Sequence, residues 1–158
     1  MKKSILLFVL LLCLTGCSTR VYTPVIKDEF TLNAVYETGD FSYTCKIVKT
    51  QQAVSVIPTS TAAQGMTIKC DGQTVTFQKD NMVIPFATEN TDVTNPAVIL
   101  YEVFTSLTDA QAAKNGECFE YRDVVGAGGY VLQQNLQGDF TQLDLPSAGI
   151  HITFLTEE

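Results

Sequence analysis

From residue 30 onward the chain alternates polar and apolar residues with a period of two, broken at short intervals by turn dipeptides. That pattern confines it to strands that bury one face, joined by tight turns. The registers test one another. A turn at Thr38-Gly39 sets Tyr36 against Phe41, Ala34 against Tyr43, Leu32 against Cys45 and Phe30 against Ile47. A turn at Asp71-Gly72, a strong hairpin signal because both positions favour positive φ, sets Ile68 against Val75 and Met66 against Phe77. Asp80-Asn81 then places Phe77 opposite Ile84 and Val75 opposite Phe86. A slip of one residue would turn all these side chains to water. Their agreement on one apolar face predicts an antiparallel meander over residues 30–86.

The period then changes. Thr94-Asn95-Pro96 offers a capping residue ahead of a proline at the first helical position. Ile99, Leu100, Val103, Phe104 and Leu107 follow at helical spacing, which predicts a helix over 96–107 with an extension toward 113. Strands resume at Glu117. A turn at Gln137-Gly138 pairs Leu132 with Leu143 and Tyr130 with Leu145, and across residues 146–149 Leu145 meets Ile150 and Leu143 meets Ile152. Residues 118–125 carry apolar side chains on both faces and fit less cleanly. The expected fold is mainly β with one or two helices, in the α+β class. It is a strongly curved antiparallel half-barrel of about ten strands, with the helix inserted after the sixth and covering the concave face.

Ahead of this domain, Lys2 and Lys3 precede an apolar run over residues 4–14. This is signal-peptide length, short of the roughly 20 residues needed to span a bilayer. It ends in Leu14-Thr15-Gly16-Cys17, which resembles the lipobox of bacterial lipoproteins. The resemblance implies that the Cys17 thiol is diacylated, with palmitate-type chains, before cleavage in front of it. The organisation that follows is a lipoprotein signal peptide over 1–16, a lipid-anchored tether over 17–29 and a single domain over 30–158. The implied location is extracytoplasmic, anchored to a bacterial membrane. Ser18, where an aspartate would prevent it, permits sorting to an outer membrane if the host has one, and otherwise the cell surface is the address.

The chain carries 10 basic and 17 acidic residues, and two of the bases, Lys2 and Lys3, leave with the leader. So acidic a surface repels phosphate backbones, which argues against nucleic acid, and offers no basic patch to anionic head groups. Three cysteines remain beyond the anchor, Cys45, Cys70 and Cys118. Cys45 and Cys70 face the core two strands apart, about 9–10 Å, beyond the roughly 7 Å that a disulfide allows. Buried free thiols are expected, although an oxidising compartment favours bonding.

No motif specifies catalysis. Gly126-Ala127-Gly128-Gly129 lacks the lysine and Ser/Thr of a phosphate loop. His151, the single histidine, points outward beside Thr153, and no serine sits in a nucleophile elbow. There is no Cys-X-X-Cys pair, so neither metal nor cofactor is expected. Glu117, Glu120 and Asp123 are the one acidic cluster that a hydrolase reading has to use.

Three segments carry a wider likeness. They are Met66-Thr67-Ile68-Lys69-Cys70-Asp71-Gly72-Gln73-Thr74-Val75-Thr76-Phe77, the helix over 96–107, and Gly138-Asp139-Phe140-Thr141-Gln142-Leu143-Asp144-Leu145 with Ile150-His151-Ile152-Thr153-Phe154. In this order they resemble the half-barrel of the Lol-type lipoprotein carriers. The resemblance implies an apolar cavity between sheet and helix that accepts acyl chains. Its candidate lining is Leu32, Tyr43, Ile68, Phe77 and Ile84, with Leu100, Val103 and Phe104 from the helix. The leading expectation is a non-enzymatic envelope lipoprotein binding a lipid or lipidated ligand. The alternative is a scaffold with a packed core that recognises an envelope protein partner.

Overall fold

The computed structural model describes residues 21–22, 26–107 and 110–155. Among the described residues, twelve strands form one open antiparallel sheet around a single α-helix, and the sheet does not close on itself. The strands are β1 (Val21–Tyr22), β2 (Phe30–Thr38), β3 (Phe41–Lys49), β4 (Val54–Pro58), β5 (Met66–Cys70), β6 (Thr74–Lys79) and β7 (Met82–Ala87), followed by β8 (Ala112–Asn115), β9 (Cys118–Val125), β10 (Gly128–Asn135), β11 (Phe140–Leu145) and β12 (Ile150–Leu155). The helix α1 (Pro96–Ser106) lies between β7 and β8. Strand order is β1-β8-β9-β10-β11-β12-β2-β3-β4-β5-β6-β7. The chain thus builds one half of the sheet as a meander, crosses its face through α1 and returns from the far edge until β12 pairs with β2.

Curvature follows from what α1 touches. It packs on β4 and β5 and also on β9, six strand spacings away in the sheet order. At about 4.8 Å per strand, a flat sheet would separate these by nearly 30 Å, while a helix is only about 10–12 Å across. The sheet must wrap the helix.

The helix forms where its signals placed it. Asn95 caps it by accepting the Ala97 N–H at 3.0 Å, and Pro96 fills the first turn. It ends at Ser106 and does not extend toward 113, because residues 112–115 form β8. Strands therefore resume earlier than Glu117, which sits with Gly116 (φ 61) in the β8–β9 turn.

Two hairpin registers differ from expectation. Gly39-Asp40, not Thr38-Gly39, forms the first turn, so Tyr36 pairs with Tyr43, Ala34 with Cys45 and Leu32 with Ile47. In the second, Ile68 pairs with Phe77 and Cys70 with Val75. Asp71 closes that turn instead of occupying its centre: its Oδ1 accepts the N–H of Thr74 at 2.7 Å and of Gln73 at 3.0 Å. These bonds hold its carboxyl below the usual range and favour the turn it closes. Moving a turn by one residue shifts its pairing by two, so every side chain keeps its face. The Asp80-Asn81 hairpin has the expected pairs, with Asp80 at φ 53.

The core is continuous between sheet and helix. Ile47, Val56, Leu132, Leu143 and Ile152 from the strands meet Ile99, Leu100 and Val103, all wholly buried. Phe30, Phe104, Phe140 and Phe154 cluster with ring centroids 5.0–6.5 Å apart. Cys45 and Cys70 are buried free thiols, and Cys118 is half-buried and free.

Turns from the two halves of the sheet clamp the helix. Gly126 N–H donates to Glu102 Oε2 at 2.8 Å from the β9–β10 side. On the β5–β6 side, Tyr101 lies so close to Gly72 that a Cβ there would stand 2.6 Å from its hydroxyl, and Gly72 has φ +90. Gly72→Ala therefore meets both backbone strain and overpacking. A destabilisation of about 2–3 kcal/mol is expected, and pairing it with Tyr101→Ala should relieve the steric share in thermal melts while leaving the backbone share.

Candidate functional site

The concave face carries the chemistry available for recognition. Across it, Leu32, Ile47, Val56, Ile68, Phe77 and Ile84 stand in one cross-strand row. Exposure grows along the row toward β7: Ile47 and Val56 are wholly buried, Phe77 is half-buried and Ile84 is 42% exposed. Beyond the helix's cover the apolar face simply continues into solvent. The meander's buried face, expected to reach Phe86, ends before β7, where every residue is exposed.

An open groove of about 300 Å³ lies where this face emerges beside the helix N-terminus. Tyr36, Phe41, Tyr43, Pro58, Met66 and Ile68 line its apolar walls, and Thr94 and Pro96 close the helix side. Tyr43 stacks between Tyr36 and Phe41, with centroids 5.2 and 5.6 Å away. Burial, then the neighbouring Cys45, pushes the Tyr36 hydroxyl up to about 12. The same causes raise Tyr43 further, and Cys45 itself is raised to about 11 by burial. None of these groups ionises near neutrality. The groove is an apolar surface with phenolic edges, suited to contact and hydrogen bonding.

The same burial predicts alkaline sensitivity. Tyr36, Tyr121 (also about 12) and Cys45 ionise more readily in the unfolded chain, near 10 for tyrosine and 9 for cysteine. Because folding raises these values, their contribution is complete below pH 9 and is lost as pH climbs toward 11–12. Each group gives up about 1.4 kcal/mol for every pH unit that separates its folded from its unfolded value. The melting temperature should be level from pH 6 to 8.5 and fall steeply above 9; a curve still level at pH 11 contradicts the burial of these side chains.

The sequence-chosen lining residues divide into three groups. Tyr43 and Ile68 line the groove, and Phe77 and Ile84 continue its wall, with Phe86 edge-on to Phe77 at 5.7 Å. Leu32 sits at the other end of the sheet in a recess of about 150 Å³ with Ile26, Lys27, Phe30 and Phe140. Leu100, Val103 and Phe104 are core, with no opening to solvent. The central cavity expected between sheet and helix is thus occupied by side chains, and open space lies around its margins, including a broad surface recess between the helix and the β9–β10 turn. Phe41, on the expected apolar face but outside the chosen lining, and Pro58, a strand-end proline that reads as a breaker, are lining residues that a reading of the sequence leaves out.

The acidic cluster does not converge. Glu120 is buried on β9, where Arg122 and Asn115 engage its carboxylate at 2.8 and 2.9 Å and hold it below the usual range. Asp123 lies on the opposite side of the strand by parity and accepts the Val124 N–H, and Glu117 is in a turn. His151 faces Asp144 across β11–β12, with Nδ1 at the carboxylate and Nε2 3.1 Å from the Thr153 hydroxyl. Gly126 and Ala127 form the β9–β10 turn and Gly128 and Gly129 open β10, so the glycine-rich stretch joins two strands, as expected.

Residues 1–18 match the family model described as the prokaryotic membrane lipoprotein lipid attachment site. Cys17 lies within that match and outside the described residues. The chain is a membrane-anchored, extracytoplasmic lipoprotein. No curated protein matches it.

Proposed function

We propose that the folded domain is a non-enzymatic binding module, displayed at a membrane by the lipid on Cys17, which receives an apolar group in the groove beside the helix N-terminus. The observation carrying this reading is the groove itself: an open, aromatic-lined space of about 300 Å³ in a domain whose centre is filled. That volume is at the lower bound for small-ligand pockets. In the lipoprotein-carrier reading it suits one short chain or ring and is too small for several acyl chains. Glu120, tied to Arg122 and Asn115, supports the absence of acid–base catalysis. Ser18 favours an outer-membrane address in a host that has one.

The test is N-phenyl-1-naphthylamine, a neutral apolar fluorophore, titrated into the mature lipidated chain in phosphatidylcholine nanodiscs. A saturable signal above empty discs is expected, and Phe41→Glu, at a residue already 56% exposed, should remove it. A signal equal to that of empty discs overturns the reading. The exposed apolar strand β7 (Met82, Val83, Ile84 and Phe86) favours a second reading, recognition of a protein partner.

A further inference from the structure

The groove's position, rim and length bear on what enters it, if it is a binding site as proposed. Its position comes first. Only residues 18–20 separate the lipid-bearing Cys17 from Val21, so Val21 lies within about 14 Å of the anchor, at roughly 3.5 Å per residue. In β1, Val21 pairs with Ala113 and Tyr22 with Ala112, so the chain enters from the strand ends that carry the β8–β9 turn. Following the antiparallel strands across the sheet places the β2–β3 turn and the β4–β5 loop at the opposite ends. Thr38 and Phe41 flank that turn, and Pro58, Thr61 and Ala63 flank or belong to that loop. The groove mouth is therefore at the strand ends opposite those tied to the bilayer.

Charge is the second observation. No lysine or arginine lines the groove. Asp40 adjoins Phe41, Asp92 stands two residues before Thr94, and Asp80 occupies the turn beyond β6, all exposed. Among the described residues, none of the three forms an ion pair. Asp92 is fixed at the rim by the backbone N–H and hydroxyl of Thr94, both at 2.8 Å, and the same contacts keep it ionised. Lys79, beside Asp80 in sequence and directly across the sheet from the groove-lining Met66, is the one base adjoining these three, so the rim carries three acids against one base.

The third is length. The apolar wall runs on through Phe77 and Ile84 to Phe86, so an occupant seated in the groove meets further apolar surface along β6 and β7. Backbone pairing to the free β7 edge is interrupted at Pro85, which has no N–H, so side chains must carry the contact.

We infer that the groove takes apolar side chains from a cationic, amphipathic segment of a partner polypeptide that approaches from the aqueous side, not lipid from the anchoring bilayer. An acidic rim around an apolar floor selects for such a segment by charge as well as by burial. A fatty acid, which is anionic, meets the same rim unfavourably.

The test uses the lipidated chain in phosphatidylcholine nanodiscs preloaded with N-phenyl-1-naphthylamine. Three competitors are compared: an alternating leucine–lysine peptide, its leucine–glutamate counterpart, and decanoate, each against empty discs. The leucine–lysine peptide should displace the fluorophore at least tenfold more effectively than the other two. Its advantage should shrink with added salt. Asp40→Lys combined with Asp80→Asn should weaken it about tenfold while leaving fluorophore affinity unchanged. Displacement by decanoate or the acidic peptide as good as that by the basic one overturns the inference and leaves the groove a general apolar site. Indifference to the two charge changes overturns it as well. Failure of the fluorophore to bind at all removes the binding-site reading beneath it.

Discussion

Cys17→Ser is expected to abolish incorporation of radiolabelled palmitate and to leave the chain at precursor size. The lipobox reading makes the Cys17 thiol both the acceptor for the lipid and the point ahead of which the leader is cut, so on that reading one atom controls both steps. Energetically the anchor rests on the acyl chains. Each buried methylene contributes about 0.8 kcal/mol, and stable attachment takes more than one chain or a second signal. Among the described residues no helix is long and apolar enough to cross a bilayer. An uncleaved leader retains its apolar run over residues 4–14 and can hold the precursor at the membrane, so a second variant separates the two effects. Giving the Cys17→Ser chain an ordinary secretory leader, cut at the same place, should release the domain to the soluble fraction. Palmitate on the Cys17→Ser chain, or tight membrane retention behind the ordinary leader, would show that another group anchors the protein.

How the sequence relates to the fold is clearest at the turns. Period-two alternation is a strong constraint because a half-buried strand exposes one face to water at every second residue. The faces of β2, β3, β5 and β6 therefore hold even where the turn is displaced. What displaces it is local. Gly39 takes φ 56 at the first central position, and the Asp71 side chain closes its own turn, neither of which periodicity records. β8 is hidden for a different reason: Ala112-Ala113-Lys114-Asn115 has no alternation to read, and its pairing with β1 and β9 supplies what the sequence lacks. β1 likewise brings residues that read as spacer into the sheet edge. The groove is legible only in part. Tyr43 and Ile68 are visible as inward-facing positions, but how far the helix covers the face depends on packing between segments distant in sequence. Position on a face can be counted along a strand; whether that face is open or filled cannot.

Phe104 is where that distinction has its largest energetic consequence. Its helical spacing makes it a candidate cavity wall, and the structure places it in the aromatic centre, 2% exposed. It is edge-on to Phe30 at 5.0 Å and tilted against Phe140 and Phe154 at 5.6 and 6.5 Å. Three strands and the helix meet in those contacts, so truncation to alanine leaves a void that no single element can close. The expected cost of Phe104→Ala is about 3–5 kcal/mol, a large share of the roughly 5–15 kcal/mol that typically holds a domain together. At roughly 4 °C per kcal/mol this lowers the melting temperature by about 12–20 °C. Ile84→Ala makes the contrast, since Ile84 belongs to the same apolar face yet is 42% exposed on β7. Its cost should stay under about 1 kcal/mol, because little surface returns to water. Thermal and urea unfolding of the two variants side by side decides between a filled centre and an open one. If Phe104→Ala proves as mild as Ile84→Ala, the space beneath the helix is not filled and a central cavity returns as the ligand site. If the two differ as expected, recognition belongs to the rim of the sheet, where the apolar face runs out from under the helix.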